Sequence, residues 1–399
     1  MTVWDSKIMK IHEISWFKEF ECMGGECPRT CCRGWLIPLD SEDRVRFKEA
    51  GGLLGLRLFA ATAGHTRDRM NRGSGECPFH NKKGLCSLQL EKGHDFLPWA
   101  CRSFPRFYRN YGLFEERYLD LSCIAAARLF IKNSYNLQLI EAEDEPVTGL
   151  CTTNNDPGYL EDVIRIRSGM IDMIGRVFSG ENRSDDISDV RLAGALCDAL
   201  YSYSCQLQDA YAHGGDCGDL KDFPLYADEE VGRACDRYVS IKDQVPFPAG
   251  AYSFPLPLSV LGKFVDSALV YFGLKKSGPE LYDLLHKAED VLEDARRAPV
   301  YFTDSVGEIC KKNDILLPVL GSYMSYYLYQ YFPDVYETYS FRKTTALGII
   351  HMNMIMLLAL AADDLADVIS MYNRKTFYND TIEDDLYRIF EECSGNNSL

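Results

Sequence analysis

Apolar residues recur at helical spacing through the C-terminal two-thirds of the chain. Val163, Ile164, Met170, Ile171, Ile174 and Phe178 fall near one face, and so do Val190, Leu192, Leu196, Leu200 and Leu207. Four further helices are predicted at about 258–273, 279–297, 313–331 and 343–373. The second of these opens well: Pro279 and Glu280 stand in its first turn, then Leu281, Leu284, Leu285, Ala288, Val291 and Leu292 follow at spacings of three and four. Polar breaks separate the segments. DEPVTGLCTTNNDPG (144–158) marks a domain boundary, GGDCGDLKDFP (214–224) a loop, and VPFPAGAYSFPLPL (245–258) a second loop whose four prolines exclude regular helix.

The first third reads differently. Short apolar pieces alternate with Gly, Pro and Cys, as in GSGECPFHNKKGLC (73–86). Helices are predicted only after an N-cap at Asp40 or Ser41, in SEDRVRFKEA, and within LSCIAAARLFI (121–131). No internal repeat and no strand-like alternation stand out. The expected fold is mainly α: an irregular cysteine-rich, metal-binding N-terminal region over 1–143, then a helical bundle over 158–399.

One segment tests the membrane alternative. TTALGIIHMNMIMLLALAA (344–362) is nearly long enough to span a bilayer, but it carries His351 and Asn353, and Asp363 and Asp364 follow at once. It is expected to be a buried helix, with membrane contact the less favoured option. The N-terminus has no basic start, apolar run and small-residue cleavage site, so a cytoplasmic location is expected.

Composition, 46% hydrophobic and 26% charged, is that of a globular protein. Charge divides where the pattern does. Residues 1–130 carry a net +4 and the remainder a net −20. An acidic body argues against nucleic acid, which demands a basic face. It suits either solubility or a basic protein partner.

Fifteen cysteines without an export signal are the main anomaly. Thiols in the cytosol stay reduced, so clustered cysteines there point to metal or redox chemistry. Cys22, Cys27, Cys31, Cys32, Cys77, Cys86, Cys101 and Cys123 all lie in the first third. Cys151, Cys197, Cys205, Cys235 and Cys310 look like small core residues, and Cys217 and Cys393 like surface thiols. The leading group has the spacing C-x4-C-x3-C-C over 22–32. Adjacent residues point apart, which makes Cys31 and Cys32 hard to place on one ion. Eight thiols exceed one four-ligand site, leaving two sites or some non-ligand thiols. Thiolate softness allows zinc or iron–sulfur, and the absence of a CxxC pair in this region weighs against zinc and against a thiol redox enzyme. His80 and His94 are more readily explained as solvated than as ligands.

These residues carry a resemblance. FKEFECMGGECPRTCCRGW (17–35), GECPFHNKKGLCSLQLEKG (75–93), CRSFPR (101–106) and LSCIAAARL (121–129) resemble the flagellin lysine N-methylase family, which overlaps a wider group of cysteine-rich zinc- or iron-chelating domains. The resemblance covers about residues 15–130. It implies an S-adenosylmethionine-dependent enzyme that methylates surface lysines of flagellin in the cytosol and holds a [4Fe–4S] cluster in the cysteine motif. Two departures stand. The CxxxCxxC of radical S-adenosylmethionine enzymes is absent, and no glycine-rich Rossmann fingerprint occurs, so the cofactor must bind otherwise.

Methyl transfer to lysine requires a neutral amine, since the ε-ammonium is no nucleophile. Tyr323, Tyr326, Tyr327, Tyr329 and Tyr331 crowd one helix; such stripes are usually core, with a substrate role as the alternative. Asp363, Asp364 and Asp367 read as a solvated face. Arg102, Arg106 and Arg109 adjoin Cys101, and Arg102 and Arg106 are candidate ligands for the cofactor carboxylate. The competing function is a non-enzymatic zinc- or iron-binding scaffold that docks a basic partner.

Overall fold

The structure is a computed structural model and describes residues 10–33, 37–63, 68–70, 76–134, 138–142, 156–179, 189–214, 256–275, 279–297, 316–377 and 379–394. The boundary expected at 144–158 falls almost wholly outside them, as do Cys151, Cys217, Cys235 and Cys310 and most of both predicted loops.

The protein is mainly helical, as the periodicity indicated. Helices α1 (Ser41–Glu49), α2 (Gly52–Ala61), α3 (Ser87–Lys92), α4 (Trp99–Ser103) and α5 (Ile124–Lys132) belong to the first third. Then come α6 (Pro157–Ser179), α7 (Asp189–Gly214), α8 (Leu258–Lys275), α9 (Pro279–Arg297), α10 (Leu316–Tyr331), α11 (Phe341–Leu360), α12 (Leu365–Thr376) and α13 (Asp380–Ser394). Asp40 caps α1: its carboxylate accepts from Asp43 N while Asp43 reaches back to the Asp40 backbone, a reciprocal capping box.

Two expectations need correction. The single helix over 343–373 is two. α11 ends at Leu360, and α12 starts afresh behind Asp364, whose carboxylate accepts from Ala366 N and Asp367 N. Asp364 is thus an N-cap rather than part of a featureless solvated face. The first third also contains a sheet. Strands β1 (Lys10–Ile14), β5 (Arg106–Asn110), β6 (Phe114–Leu119) and β7 (Leu139–Glu141) run in the order β5-β6-β1-β7, with β1 and β6 parallel and the other pairs antiparallel. Two-residue strands β2 (Ile37–Pro38), β3 (Thr62–Ala63) and β4 (Arg69–Met70) form a separate small sheet.

The larger sheet docks on the bundle through tyrosines. Tyr326 donates to Leu119 O at 2.7 Å and accepts from Leu119 N at 2.9 Å, and Trp16 stacks on its ring at 5.7 Å. Tyr323, Tyr326, Tyr327 and Tyr329 are buried, so the stripe on α10 is core. Arg167, fully buried on α6, forks onto Glu116 of β6 at 2.7 and 2.5 Å and lies 4.9 Å over the Tyr329 ring.

α11 is long and apolar enough to cross a membrane, but 78% of its apolar window is buried inside the protein. Its polar residues have internal partners: Asn353 accepts from Leu256 N at 2.8 Å, and His351 Nδ1 lies 2.8 Å from the Tyr372 hydroxyl. It is therefore the core helix of the bundle.

Two apolar cores result. One joins β1, β6 and α5 to the whole bundle. The other is confined to residues 37–101, around Ile37, Phe47, Leu58, Phe79, Leu88 and Leu97.

Candidate metal centre

The eight N-terminal cysteines come from the 22–32 loop, the 77–86 hairpin, α4 (Cys101) and the N-cap of α5 (Cys123). Residues 22–27 turn tightly: Cys27 N donates to Gly24 O at 3.2 Å, and Gly24 N to Cys22 Sγ at 3.4 Å. Residues 77–86 form a hairpin around Asn81, whose side chain accepts from Lys83 N and Leu85 N; Ser87 N closes it on Phe79 O at 2.7 Å. The two loops touch at glycines. A Cβ on Gly25 would sit 2.6 Å from Lys83 O, and one on Gly84, at φ +74°, would sit 2.8 Å from Gly25 O. Only glycine at both positions lets the backbones meet. Cys77 N donates to Cys32 O at 2.8 Å, tying the C-C pair to the hairpin.

The bundle holds the same loop from outside. Arg29 forks onto Asp367 of α12, at 2.6 Å for one contact, and also reaches Glu280 of α9. Arg374 of α12 donates to the carbonyls of Arg29, Thr30 and Arg33, at 2.9 Å for Thr30. Asp367 is thus a clamp on the cysteine loop.

The thiols sort into two neighbourhoods. Cys77 belongs to the small core, and Cys32, Cys86 and Cys101 pack against it. Cys27 and Cys123 pack against the large core. Electrostatics follow part of this division, and Cys31 bridges it, since its charged neighbours are Cys32, then Cys101, then Cys22. Burial pushes the Cys101 thiol up strongly, and Cys77, Cys32 and Cys86 add to that. Cys77 is pushed up to about 11 by burial, with Cys32 and Cys86 adding. Cys123 is also pushed up to about 11 by burial, and its thiol neighbours are Cys27 and Cys22. Cys31 and Cys32 are less divergent than adjacent residues usually are. They share a hydrogen bond that raises Cys31 and lowers Cys32 to about 6, with Thr30, His80 and Arg374 helping the Cys32 anion.

Among the described residues no three His, Cys, Asp or Glu side chains are close enough together to hold a single metal ion. None of the eight thiols is in a disulfide. The donor set is soft and anionic when ionised, the chemistry that thiolate-bound metals use, but the described side chains are not gathered into a metal site.

His80 is not a solvated histidine. Its side chain is 7% exposed, Nδ1 lies 3.7 Å from Glu76, and the buried Nε2 has no hydrogen-bond partner among the described residues. His94, by contrast, is exposed. Arg106 is committed to the fold: it donates to Phe20 O at 3.1 Å and lies over the Phe20 ring at 4.8 Å. Arg109 donates to Gln330 O and pairs with Asp334. Arg102 Nε is buried without a hydrogen-bond partner among the described residues.

A polar cavity of about 480 Å³ opens beside the thiols, lined by Cys27, Thr30, Arg33, Glu76, His80 and Lys82. A second chemical feature was not legible in the sequence. Glu383 of α13, largely buried, has its carboxyl pushed up to about 7 by burial and by Asp380. It lies 3.8 Å from Nε2 of His351, which burial keeps neutral, with a pKa of about 3. Tyr327, Tyr331 and Phe377 pack together beside that histidine. The signal would have been His351, an imidazole inside an otherwise apolar helix.

Part of the chain is similar to three curated Salmonella proteins. It is 26% identical over 125 residues to the flagellar biosynthetic protein FliU of Salmonella muenchen, covering 29% of this chain and 74% of that protein. It is 26% identical over 127 residues to the lysine-N-methylases of Salmonella typhimurium and Salmonella choleraesuis, covering 29% of this chain and 31% of each of them. The chain therefore spans about a third of the length of the two methylases it matches. No family model matches the chain. No solved structure matches it either. At this identity and coverage the matches support a distant relationship and no more.

Proposed function

We propose that this chain is an S-adenosylmethionine-dependent protein-lysine N-methylase that acts on flagellin in the cytoplasm and carries a cysteine-bound [4Fe–4S] cluster. The observation that carries this is the partial similarity to the Salmonella lysine-N-methylases and FliU. Eight thiols in the first third, none of them in a disulfide, are the soft donors that such a cluster would need.

The ligands of the cluster come from Cys22, Cys27, Cys31, Cys32, Cys77, Cys86, Cys101 and Cys123. When bound, it supplies one-electron chemistry. Arg374 and Arg29 place positive charge against the loop that bears these thiols. The cavity beside Cys27 takes S-adenosylmethionine, with Arg33 and Lys82 as its carboxylate partners. Arg102 and Arg106 stand as the alternative carboxylate partners, although Arg106 gives one donor to Phe20 O. The lysine amine must lose a proton before it attacks. Glu383, titrating near neutrality, is matched to accept one, and the rings of Tyr327, Tyr331 and Phe377 stand close by. α12 links the two places: Arg374 holds the cysteine loop while Tyr372 bonds His351.

The test is incubation of the anaerobically purified protein with S-adenosylmethionine and flagellin. Methyl-mass increments on flagellin lysines are expected. No increment with an iron-replete protein, and no binding of S-adenosylmethionine, would establish the scaffold alternative instead.

A further inference from the structure

We propose that a cavity between α1 and α2 binds an anionic amphiphile: a hydrocarbon chain that ends in a carboxylate or a phosphate. The proposal is independent of the methylase reading and of any metal.

The cavity measures about 680 Å³, within the range of sites that hold small organic ligands. Leu39, Phe47 and Leu58 line it, and all three are buried members of the small core. Two cations also line it, Arg44 and Lys48, one turn apart on α1. Neither is in an ion pair among the described residues; Arg44 donates from Nε to Asp40 O at 3.2 Å. Among the described residues that line the cavity none is acidic. α1 does carry acids, but they are turned elsewhere. Glu42 and Glu49 line a separate hollow with Val45 and Arg46, and Asp43 is buried, where it accepts from Trp99 N. Helical spacing produces this sorting, because Arg44, Phe47, Lys48 and Gly51 fall on one face. Cations beside an apolar wall, without a carboxylate, select an anionic head on an apolar tail. The same charges disfavour the sulfonium of S-adenosylmethionine, so this site is distinct from the cavity beside Cys27.

Gly55 is an independent pointer to an occupant. It stands inside α2, where glycine weakens a helix relative to alanine. Its neighbour Gly52 has a backbone reason to be glycine, a φ of +53°; Gly55 has none. Packing within the chain does not require it either, since a Cβ there would come no closer than 3.9 Å to Ala50 C. Gly55 lines the cavity, and what its missing side chain provides is room there. Leu56 and Phe59 also line the cavity yet stay 67% and 59% exposed, and Leu53, one turn earlier, is 81% exposed. The apolar surface thus runs on from the cavity into solvent, leaving contact for a tail longer than the cavity itself.

The test is calorimetric titration of the full chain, below micelle-forming concentrations, with octanoate, dodecanoate, dodecyl phosphate and dodecyltrimethylammonium. One anionic chain per protein is expected, bound about tenfold or more tightly than the cation of equal length, with affinity rising from octanoate to dodecanoate. Equal binding of anion and cation, or no saturable binding, overturns the proposal and needs no variant. Two variants place the ligand. Arg44→Gln/Lys48→Gln should weaken dodecanoate about tenfold. Gly55→Leu should abolish its binding with thermal stability at or above wild type, because the new side chain enters open space and a helix glycine is removed. Undiminished dodecanoate binding by folded Gly55→Leu overturns the site. Sedimentation with phosphatidylglycerol vesicles assigns the source of the chain. Vesicle binding that Gly55→Leu removes supports a bilayer lipid as the ligand; dodecanoate binding without vesicle binding supports a free amphiphile.

Discussion

The two apolar cores are built on different terms. The large core is filled by long aliphatic and aromatic side chains from β1, β6, α5 and all the bundle helices, and it continues unbroken from Ile14 to Phe390. The small core draws on residues 37–101 alone, whose helices are short and whose sheet is made of two-residue strands. Burial of Leu58, Phe79 and Leu88 at about 25 cal/mol per Å² cannot order so irregular a segment against its chain entropy unaided. The large core needs no cross-link; the small one has Cys77 within it and Cys32, Cys86 and Cys101 against it. If metal binds those thiols, its loss should weaken the small core and spare the large one.

The largest effect expected lies in the large core. Arg167 and Glu116 are both buried and bonded twice to each other. Arg167→Ala strands the carboxylate in an apolar site and should cost about 3–5 kcal/mol by denaturant unfolding. It should leave iron content unchanged in whatever fraction remains folded. Arg167→Met together with Glu116→Leu should recover most of that loss, because both charges leave together. Parallel loss of iron in Arg167→Ala would show that the two regions are not independent.

The complementary perturbation removes metal. Oxidative stripping of iron should raise hydrogen exchange and proteolysis across 37–101 while α10, α11 and α12 stay protected. Uniform protection in the stripped protein would mean that the small core stands by itself.

The bundle was largely legible in the sequence and the first third was not, for physical reasons. Helix α9 runs from Pro279 to Arg297 as its apolar spacing and first-turn proline indicate, because its buried Leu281, Leu285, Ala288 and Leu292 form one stripe. The merged helix over 343–373 failed where apolar flow masked a cap: Asp364 carries the N-cap signal, but Leu365 follows it without a gap. The sheet was missed because β6 buries Glu115, Glu116 and Arg117 along with Tyr118 and Leu119, so the strand shows no apolar–polar alternation, and only tertiary ion pairs make that tolerable. The meeting of the 22–32 loop with the 77–86 hairpin was equally hidden, because the contact between Gly25 and Gly84 spans nearly sixty positions that no local pattern relates.

A third effect, smaller, concerns pH. Glu383 is raised from its ordinary 4.5 to about 7 in the folded protein. A raised carboxyl favours the folded state while protonated, so its stabilising share is full below about 4.5 and is lost as pH climbs to about 7. The span is roughly 3 kcal/mol as an upper figure, reduced by the partial exposure of the side chain. Glu383→Gln should flatten the fall in stability between those pH values. If Glu383 also takes the amine proton, the same variant should lower methyl transfer at high pH with flagellin binding retained. An unchanged stability profile would show that the carboxyl is hydrated and ordinary.

The smallest effect tests the seam between sheet and bundle. Tyr326 donates to Leu119 O and accepts from Leu119 N, so one hydroxyl satisfies both backbone groups at the end of β6. Tyr326→Phe keeps the ring stacked on Trp16 and leaves both groups without that partner. The loss should be about 1–3 kcal/mol in denaturant unfolding, with an unchanged slope, since the ring still fills its space. Leu119 precedes Asp120, whose carboxylate accepts from Ser122 N in the turn that delivers Cys123. Tyr326→Phe should accordingly make Cys123 faster to alkylate, and leave Cys77 and Cys101 at their wild-type rates. Equal acceleration of Cys77 and Cys101 would mean that the seam supports the small core as well.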